Sequence, residues 1–397
     1  MTTTPTTLNG SMEKPIYLDY NATTPLDPEV LSEMLPFLKE EFGNASSSSH
    51  PYGWAANMAV KKARKQVADA IGCEPKEIIW TSGATESNNM AIIGLVRSFL
   101  PEKTHIITAN TEHKAVLQVF EMAEELGAEI TVLPVNEQGQ VSVEQVVAAL
   151  KPHTRLVSLM MANNEIGTLH PIFEIGKMLQ EKNILFHTDA AQALGKIPID
   201  LKTLPVDMLS MSGHKIYGPK GVGALYIRKQ NPPITLKPLI CGGEQEGGLR
   251  PGTLNVPGIV GIGTAVDIAS KKMTEESTRL TKLRDQLITR VLKNCRGAIL
   301  NGHPTERLPN NASFSFEGLS ADVFALGLSG LALSSGSACT SASGKPSHVI
   351  TAIGRPECLA RATIRVGLGR MTTDKDIETA GDKILAMIEK NSKISNI

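Results

Sequence analysis

Apolar positions along the chain follow two alternating patterns. Short, nearly unbroken apolar runs stand at Glu77–Trp80, His105–Ala109, Glu129–Val135, Arg155–Ala162, Ile184–His187, Met208–Met211 and Gly223–Ile227. Continuous rather than alternating runs predict strands buried on both faces, as in a mostly parallel sheet. Between them, Ala115–Leu126 and Ile172–Lys182 repeat apolar residues at three- and four-residue steps, and Val143–Leu150 does so over a shorter span. These predict amphipathic helices. The sum is an α/β fold around a seven-stranded, mostly parallel sheet, with ligands expected beyond the carboxyl ends of the strands. After Pro257 the pattern changes. Val260–Val291 predicts one or two long helices, followed by a strand at Asn311–Phe316, a Gly/Ser-rich loop at 334–347, a strand at Ala362–Val366 and a last helix from Asp374. The expected organisation is a tail over 1–13 expected to be disordered, a large domain over 14–258 and a smaller α+β domain over 259–397.

Composition narrows the function classes. The 397 residues carry 40 Lys and Arg against 40 Asp and Glu, a formal charge of zero, which argues against direct nucleic-acid binding or a charged membrane surface. Hydrophobic residues make up 41% and charged residues 20%, so extended disorder is not expected. No apolar run reaches the ~18 residues of a spanning helix. The start, Met1-Thr-Thr-Thr-Pro, has no basic or apolar leader pattern. Five cysteines at 73, 241, 295, 339 and 358 are odd in number, widely spaced and without C-x-x-C, so neither a disulfide framework nor a metal site is expected. A reducing, cytoplasmic setting is the expectation.

Four segments carry candidate chemistry. In Asp207-Met-Leu-Ser-Met-Ser-Gly-His-Lys215 a lysine follows a buried strand, where an unpaired ammonium is costly. It is either a turn lysine or an amine that forms an imine with an aldehyde cofactor. In Ile184-Leu-Phe-His-Thr-Asp189-Ala-Ala-Gln192 a strand ends in a carboxylate. Asp189 either caps the next helix or keeps a pyridine nitrogen protonated, with Gln192 reaching a phenolic oxygen. Trp80-Thr-Ser-Gly-Ala84-Thr85 places small and hydroxylated residues at a helix start, an anion site in principle. His113, in Asn110-Thr-Glu-His113, is either a loop histidine or a ring that stacks on a planar group.

Together and in this order, these segments resemble the class V aminotransferase superfamily of fold-type-I pyridoxal-phosphate enzymes, and within it the cysteine desulfurases of iron–sulfur cluster assembly and nitrogen fixation. The resemblance runs from Tyr17-Leu-Asp-Tyr-Asn-Ala-Thr-Thr-Pro25 to Leu368-Gly-Arg370. It is carried most specifically by Ser212-Gly-His-Lys-Ile-Tyr-Gly-Pro-Lys-Gly221 and Ser335-Gly-Ser-Ala-Cys339-Thr-Ser. It implies pyridoxal 5'-phosphate as cofactor and Lys215 as its Schiff-base lysine. Ala84, Thr85, Ser212 and His214 would hold the phosphate side, Asp189 the ring nitrogen and His113 the ring face. Asn164 and Gln192 would contact ring substituents, with Asn164 also near the substrate. Thr253, in Arg250-Pro-Gly-Thr253, would reach the phosphate of a partner chain in a homodimer. Arg365 would bind the substrate carboxylate. Relatives often carry glycine and arginine where this chain has Glu244 and Gly247, so the loop at 242–248 departs from the pattern.

Cys339 separates a desulfurase from an aminotransferase. Its neighbours are Ser, Gly, Ala and Thr, with nothing apolar to bury it. The resemblance implies that Lys215 or His113 moves the α-proton of L-cysteine, that the Cys339 thiolate takes the sulfur as a persulfide, and that alanine leaves. About six residues on either side reach roughly 20 Å, which suits delivery to an iron–sulfur scaffold protein or another sulfur acceptor. Cys339 could also transiently ligate a cluster iron. The alternatives are a selenocysteine lyase or a class V aminotransferase, which share fold and cofactor but need no such thiol. A non-catalytic assembly partner with a degenerate site is a third.

Overall fold

A computed structural model describes residues 14–319, 330–334 and 346–392. The expected N-terminal tail and Cys339 lie outside them. The chain opens with β1 (Ile16–Tyr17), α1 (Pro28–Lys39) and α2 (Pro51–Ile71). Strands and helices then alternate: β2 (Ile78–Thr81), α3 (Ala84–Phe99), β3 (His105–Ala109), α4 (Lys114–Glu125), β4 (Glu129–Leu133), α5 (Val143–Ala149), β5 (Thr154–Ser158), α6 (Ile172–Glu181) and β6 (Leu185–Asp189). β7 (Met208–Ser212) and β8 (Gly223–Ile227) follow, and then α7 (Val256–Asn294), β9 (Ala298–Leu300), β10 (Asn311–Phe316), β11 (Leu331–Ala332) and β12 (Thr363–Gly367). Helices His348–Ala352 and Glu357–Arg361 precede β12, and helix Asp374–Ser392 follows it.

The fold is α/β. Seven strands form one sheet in the order β2-β8-β7-β6-β5-β3-β4. From β7 to β4 all neighbours are parallel, while β8 runs antiparallel to β7 and to β2. All five residues of β3 and of β7 are buried, as expected of strands covered by helices on both faces. The parallel strands therefore end along one edge, where their following loops converge.

Local chemistry fixes several of the helices around it. Ser142 and Gln145 form a reciprocal capping box at the start of α5. α2 begins with Pro51 behind the His50 cap and stops at Gly72 in a left-handed conformation (φ 74°). The buried stripe of α2 mixes small and branched residues: Ala56, Ala63 and Ala68 beside Val60, Val67 and Ile71. Small residues suit its close packing on α7.

Two cores share α7. Its first half, including Ile259 and Ile262, joins the core beneath the seven-stranded sheet. Its second half, with Leu283 and Leu287, joins a separate core with Phe314, Ile364 and Ile384. That core lies against the antiparallel sheet β12-β10-β9. Leu18 also packs there, and β1 pairs with β11. The boundary expected at 258/259 falls in the first turn of a helix that belongs to both cores.

Candidate active site

A cavity of about 510 Å³ opens at the carboxyl ends of β3, β5, β6 and β7. Its walls include Ala84, Thr85, His113, Asn164, Asp189 and Gln192. Ser212, His214, Lys215 and Arg365 line it as well. Of the residues expected from sequence to hold cofactor or substrate, all but Thr253 meet in this one space. Thr253 is exposed and does not line it.

Lys215 ends a short turn of 3-10 helix, Gly213–Lys215, directly after β7. Its Nζ donates to the carbonyls of Asn21 (2.6 Å) and Ala22 (2.7 Å). The turn is folded onto the N-terminal segment: Thr24 N–H donates to the His214 carbonyl and Asp27 N–H to the Tyr217 carbonyl. Tyr217 takes a left-handed conformation (φ 65°), unfavourable for an aromatic residue. Its N–H donates to Thr24 Oγ1 at 2.7 Å and its ring lies under the Arg370 guanidinium at 4.3 Å. Segment 21–27 thus holds both the lysine and the turn that presents it.

At one end of the cavity stands the first turn of α3. Gly83 offers no side chain to cap it, so the turn's N–H groups keep their capacity for an anion. Ser212 lies close to this turn: a Cβ on Gly83 would sit 3.8 Å from Ser212 Oγ. Gly223 lets β8 approach from behind, since a Cβ there would lie 2.6 Å from Gly83 Cα and 2.4 Å from the Met211 carbonyl. His214 Nδ1 meets Thr23 Oγ1 at 3.1 Å. Burial, with the nearby charge of Lys215, lowers the His214 pKa to about 4, so this ring is neutral at pH 7.

Deeper in, Asp189 ends β6. Its Oδ2 accepts from Asn88 Nδ2 (2.8 Å) and its Oδ1 from Ala191 N–H (2.9 Å). A carboxylate has about four lone-pair sites, which leaves room for a further donor. Gln192 is locked to Asn21 by two hydrogen bonds, Nε2 to the Asn21 carbonyl (2.9 Å) and Asn21 Nδ2 to Oε1 (3.1 Å). His113 caps α4, its Nδ1 accepting from Ala115 N–H at 3.1 Å. Burial lowers its pKa; the Asp189 charge opposes this and Lys215 adds to it. The neutral ring then carries its proton on Nε2.

Arg365 forms the opposite wall. Only 2% exposed, it comes from β12. Its Nη2 pairs with Asp19 Oδ1 at 2.7 Å and its Nη1 donates to the Asn164 carbonyl at 2.9 Å. Its Nε has no partner among the described residues. Sequence reasoning identified Arg365 but not Asp19 or Asn21, although both stand in the motif that carried the resemblance. It also missed how the 242–248 loop is held. The Glu246 side chain is buried against Arg64, with Nη2–Oε1 at 2.6 Å, and accepts from Trp80 N–H at 2.9 Å, while Arg250 pairs with Glu86 at 2.9 Å. The unusual Glu244 is exposed.

A lysine between an uncapped helix start and a hydrogen-bonded carboxylate stands at the carboxyl edge of a parallel sheet, an arrangement shared by a class of enzymes with which the comparisons agree. Residues 16–379 match the Aminotransferase class-V family, and the chain belongs to it. It is 47% identical to the cysteine desulfurase IscS of Rickettsia rickettsii (strain Iowa), over 97% of this chain and 94% of the relative. It is 45% identical to the Homo sapiens cysteine desulfurase, over 97% of this chain and 84% of that one. Among solved structures, a NifS-like protein superposes with a TM-score of 0.87 at 37% identity, covering 94% of this chain and 99% of the other.

Proposed function

We propose that the chain is a pyridoxal-phosphate-dependent cysteine desulfurase that removes sulfur from L-cysteine, releases L-alanine and carries the sulfur as a persulfide on Cys339. The observation that carries this reading is the convergence of Lys215, Asp189 and Arg365 on one cavity. The donor set fits the cofactor: uncapped N–H groups for a phosphate, a hydrogen-bonded carboxylate for a ring nitrogen, and an amine between them. When bound, the cofactor supplies an electron sink for the pair left as Cα loses its proton.

The side chains divide the remaining work. Arg365 binds the carboxylate of L-cysteine, and its Nε, without a partner among the described residues, provides a buried donor that gains from such a ligand. Lys215 moves the α-proton, since His113 Nδ1 is already occupied by the Ala115 N–H. His113 serves as a neutral ring face. The Cys339 thiolate forms an S–S bond with the substrate sulfur as the Cβ–S bond breaks. The electron pair stays on carbon, takes up a proton and yields alanine, so no external oxidant is needed. The persulfide is then passed to a scaffold protein or another sulfur acceptor.

A homodimer belongs to the same reading. Phe42, Trp54 and Met58 are exposed by 70%, 53% and 70%. Trp54 and Met58 line a groove of about 610 Å³ with Gln245 and Leu254, beside Thr253. Apolar side chains grouped in this way mark an association surface, and Thr253 would then enter the neighbouring cavity. Mixed dimers of Lys215→Ala and Thr253→Val chains regain activity if it does, and stay inactive if it does not. Among the described residues no helix is long and apolar enough to cross a membrane.

The deciding experiment is to incubate the loaded protein with L-cysteine, measure alanine, and analyse all five cysteines by mass spectrometry. One added sulfur on Cys339, with Cys339→Ser slowed by orders of magnitude, is expected. Sulfur on another cysteine, with Cys339→Ser fully active, overturns the reading.

A further inference from the structure

Glu165 is a buried carboxyl that the chemistry above does not use. It is 1% exposed, and burial raises its pKa. Its backbone is fixed: Asn163 Oδ1 accepts from Glu165 N–H (2.8 Å) and from Ile166 N–H (3.0 Å), while Asn163 Nδ2 donates to the Thr111 carbonyl (2.9 Å). Asn164, one residue earlier, gives its carbonyl to Arg365. Segment 163–166 thus meets Arg365 through the Asn164 backbone, while Glu165 does not itself line the cavity.

The Glu165 carboxyl accepts a hydrogen bond from Ser347 Oγ. Ser347 is itself buried, and its Oγ accepts from Val349 N–H and Ile350 N–H, both at 3.2 Å. A hydroxyl has one proton and two acceptor sites, so the single proton is committed to Glu165 and the lone pairs to the chain beyond. The next residue, His348, meets the Glu112 carbonyl through Nε2 at 3.0 Å. Cys339 stands eight residues before Ser347 in sequence. On the other side of Cys339, Ser334 and Arg365 exchange backbone hydrogen bonds of 2.7 and 3.4 Å. Both described ends of the Cys339 segment are thus tied to Arg365: Ser334 directly, Ser347 through Glu165 and Asn164.

We propose that Glu165 is a positioning residue for sulfur transfer, acting through Ser347 to set where the Cys339 segment is rooted relative to the carboxylate-binding Arg365. This rests on the persulfide reading above and adds a residue to it. A hydrogen bond that only stabilised the fold would weaken cofactor retention and ligand binding along with sulfur transfer. A positioning bond alters the transfer step alone, because the reacting sulfur atoms must meet at close range.

The test uses the loaded protein and four variants. Glu165→Gln keeps an acceptor oxygen and Ser347→Thr keeps the hydroxyl. Glu165→Ala and Ser347→Gly remove the bond, and glycine remains an acceptable helix cap. Three quantities are read: cofactor content, L-alanine affinity from the absorbance change, and the single-turnover rate of persulfide appearance on Cys339 by quench and mass spectrometry. In Glu165→Ala and Ser347→Gly the persulfide rate is expected to fall about tenfold or more. Cofactor content and L-alanine affinity stay within about twofold, and the two conservative variants approach wild type. Unchanged persulfide rates in both disruptive variants overturn the proposal. So does a parallel fall of all three quantities. If Glu165→Ala does not fold, the Ser347→Gly and Ser347→Thr pair decides alone. A wild-type protein that carries no sulfur on Cys339 would instead bring down the functional reading itself, and this inference with it.

Discussion

One wall of the cavity, with His113, Asp189, Ser212 and Lys215, is built from the carboxyl ends of parallel strands of a single sheet and the turns that follow them. The other, Asn164 and Arg365 with Asp19 paired to the arginine, is gathered from three segments, two of them 346 residues apart. The first wall is as rigid as the sheet beneath it. The second exists only while the core around β12 is seated against segment 19–27. Damage to the first wall should therefore stop chemistry, and damage to the second should weaken substrate capture or stability first.

The largest effect is expected at the first wall. Lys215→Ala removes the amine held by the Asn21 and Ala22 carbonyls. Turnover should fall to background while the melting temperature stays close to wild type, because those carbonyls remain within reach of water. Alanine release at the wild-type rate would show that Lys215 does not carry the reaction.

At the second wall the effect should split between affinity and stability. Arg365→Leu should raise KM for L-cysteine about a hundredfold or more, since losing a desolvated ion pair costs roughly 3 kcal/mol, with cofactor content preserved. Asp19→Asn should behave differently. It leaves the buried guanidinium without its counter-charge, which costs about 3 kcal/mol of stability, yet spares the groups that meet the substrate. Melting temperature should fall, and L-alanine should restore part of it, because the ligand carboxylate supplies the missing charge. A weaker affinity for L-alanine with an unchanged melting temperature would mean that Asp19 orients Arg365 without neutralising it.

The same contrast explains what could be read in the sequence. The strands β3 and β8 occupy the residues their apolar runs predict, His105–Ala109 and Gly223–Ile227, and β10 the predicted Asn311–Phe316. Burial on both faces leaves a continuous apolar run. The residues of the first wall stand at or within a few positions of the ends of β3, β6 and β7, so order along the chain maps onto position in the cavity. Asp19 and Glu165 have no such signature. Each acquires its role from a partner 346 or 182 residues away, and nothing in a local pattern records that pairing.

The smallest expected effect is an acid sensitivity centred on the sheet. His187 lies on β6 two residues before Asp189, fully buried, with Nδ1 2.8 Å from Ser158 Oγ and Nε2 2.9 Å from Ser210 Oγ. Burial lowers its pKa to about 4, with the Asp189 charge acting in the opposite direction. His170 is buried and lowered to about 4 by the same cause. In the unfolded chain a histidine titrates near 6.5. Above that pH both states bind no proton here and the stabilisation is complete. As pH falls from about 6.5 towards 4, the unfolded state gains a proton that the folded state excludes, so stability declines. The slope is about 1.4 kcal/mol per pH unit for each such histidine. Below about 4 the folded ring protonates too and the decline from that group levels off. Urea unfolding at several pH values between 7.5 and 5 should show this decline in the wild-type protein. His187→Gln keeps groups able to bond both serines but cannot take up a proton, so its stability should fall less steeply over the same window. Parallel profiles for the two proteins would mean that His187 is already protonated in the folded sheet or exchanges freely with water.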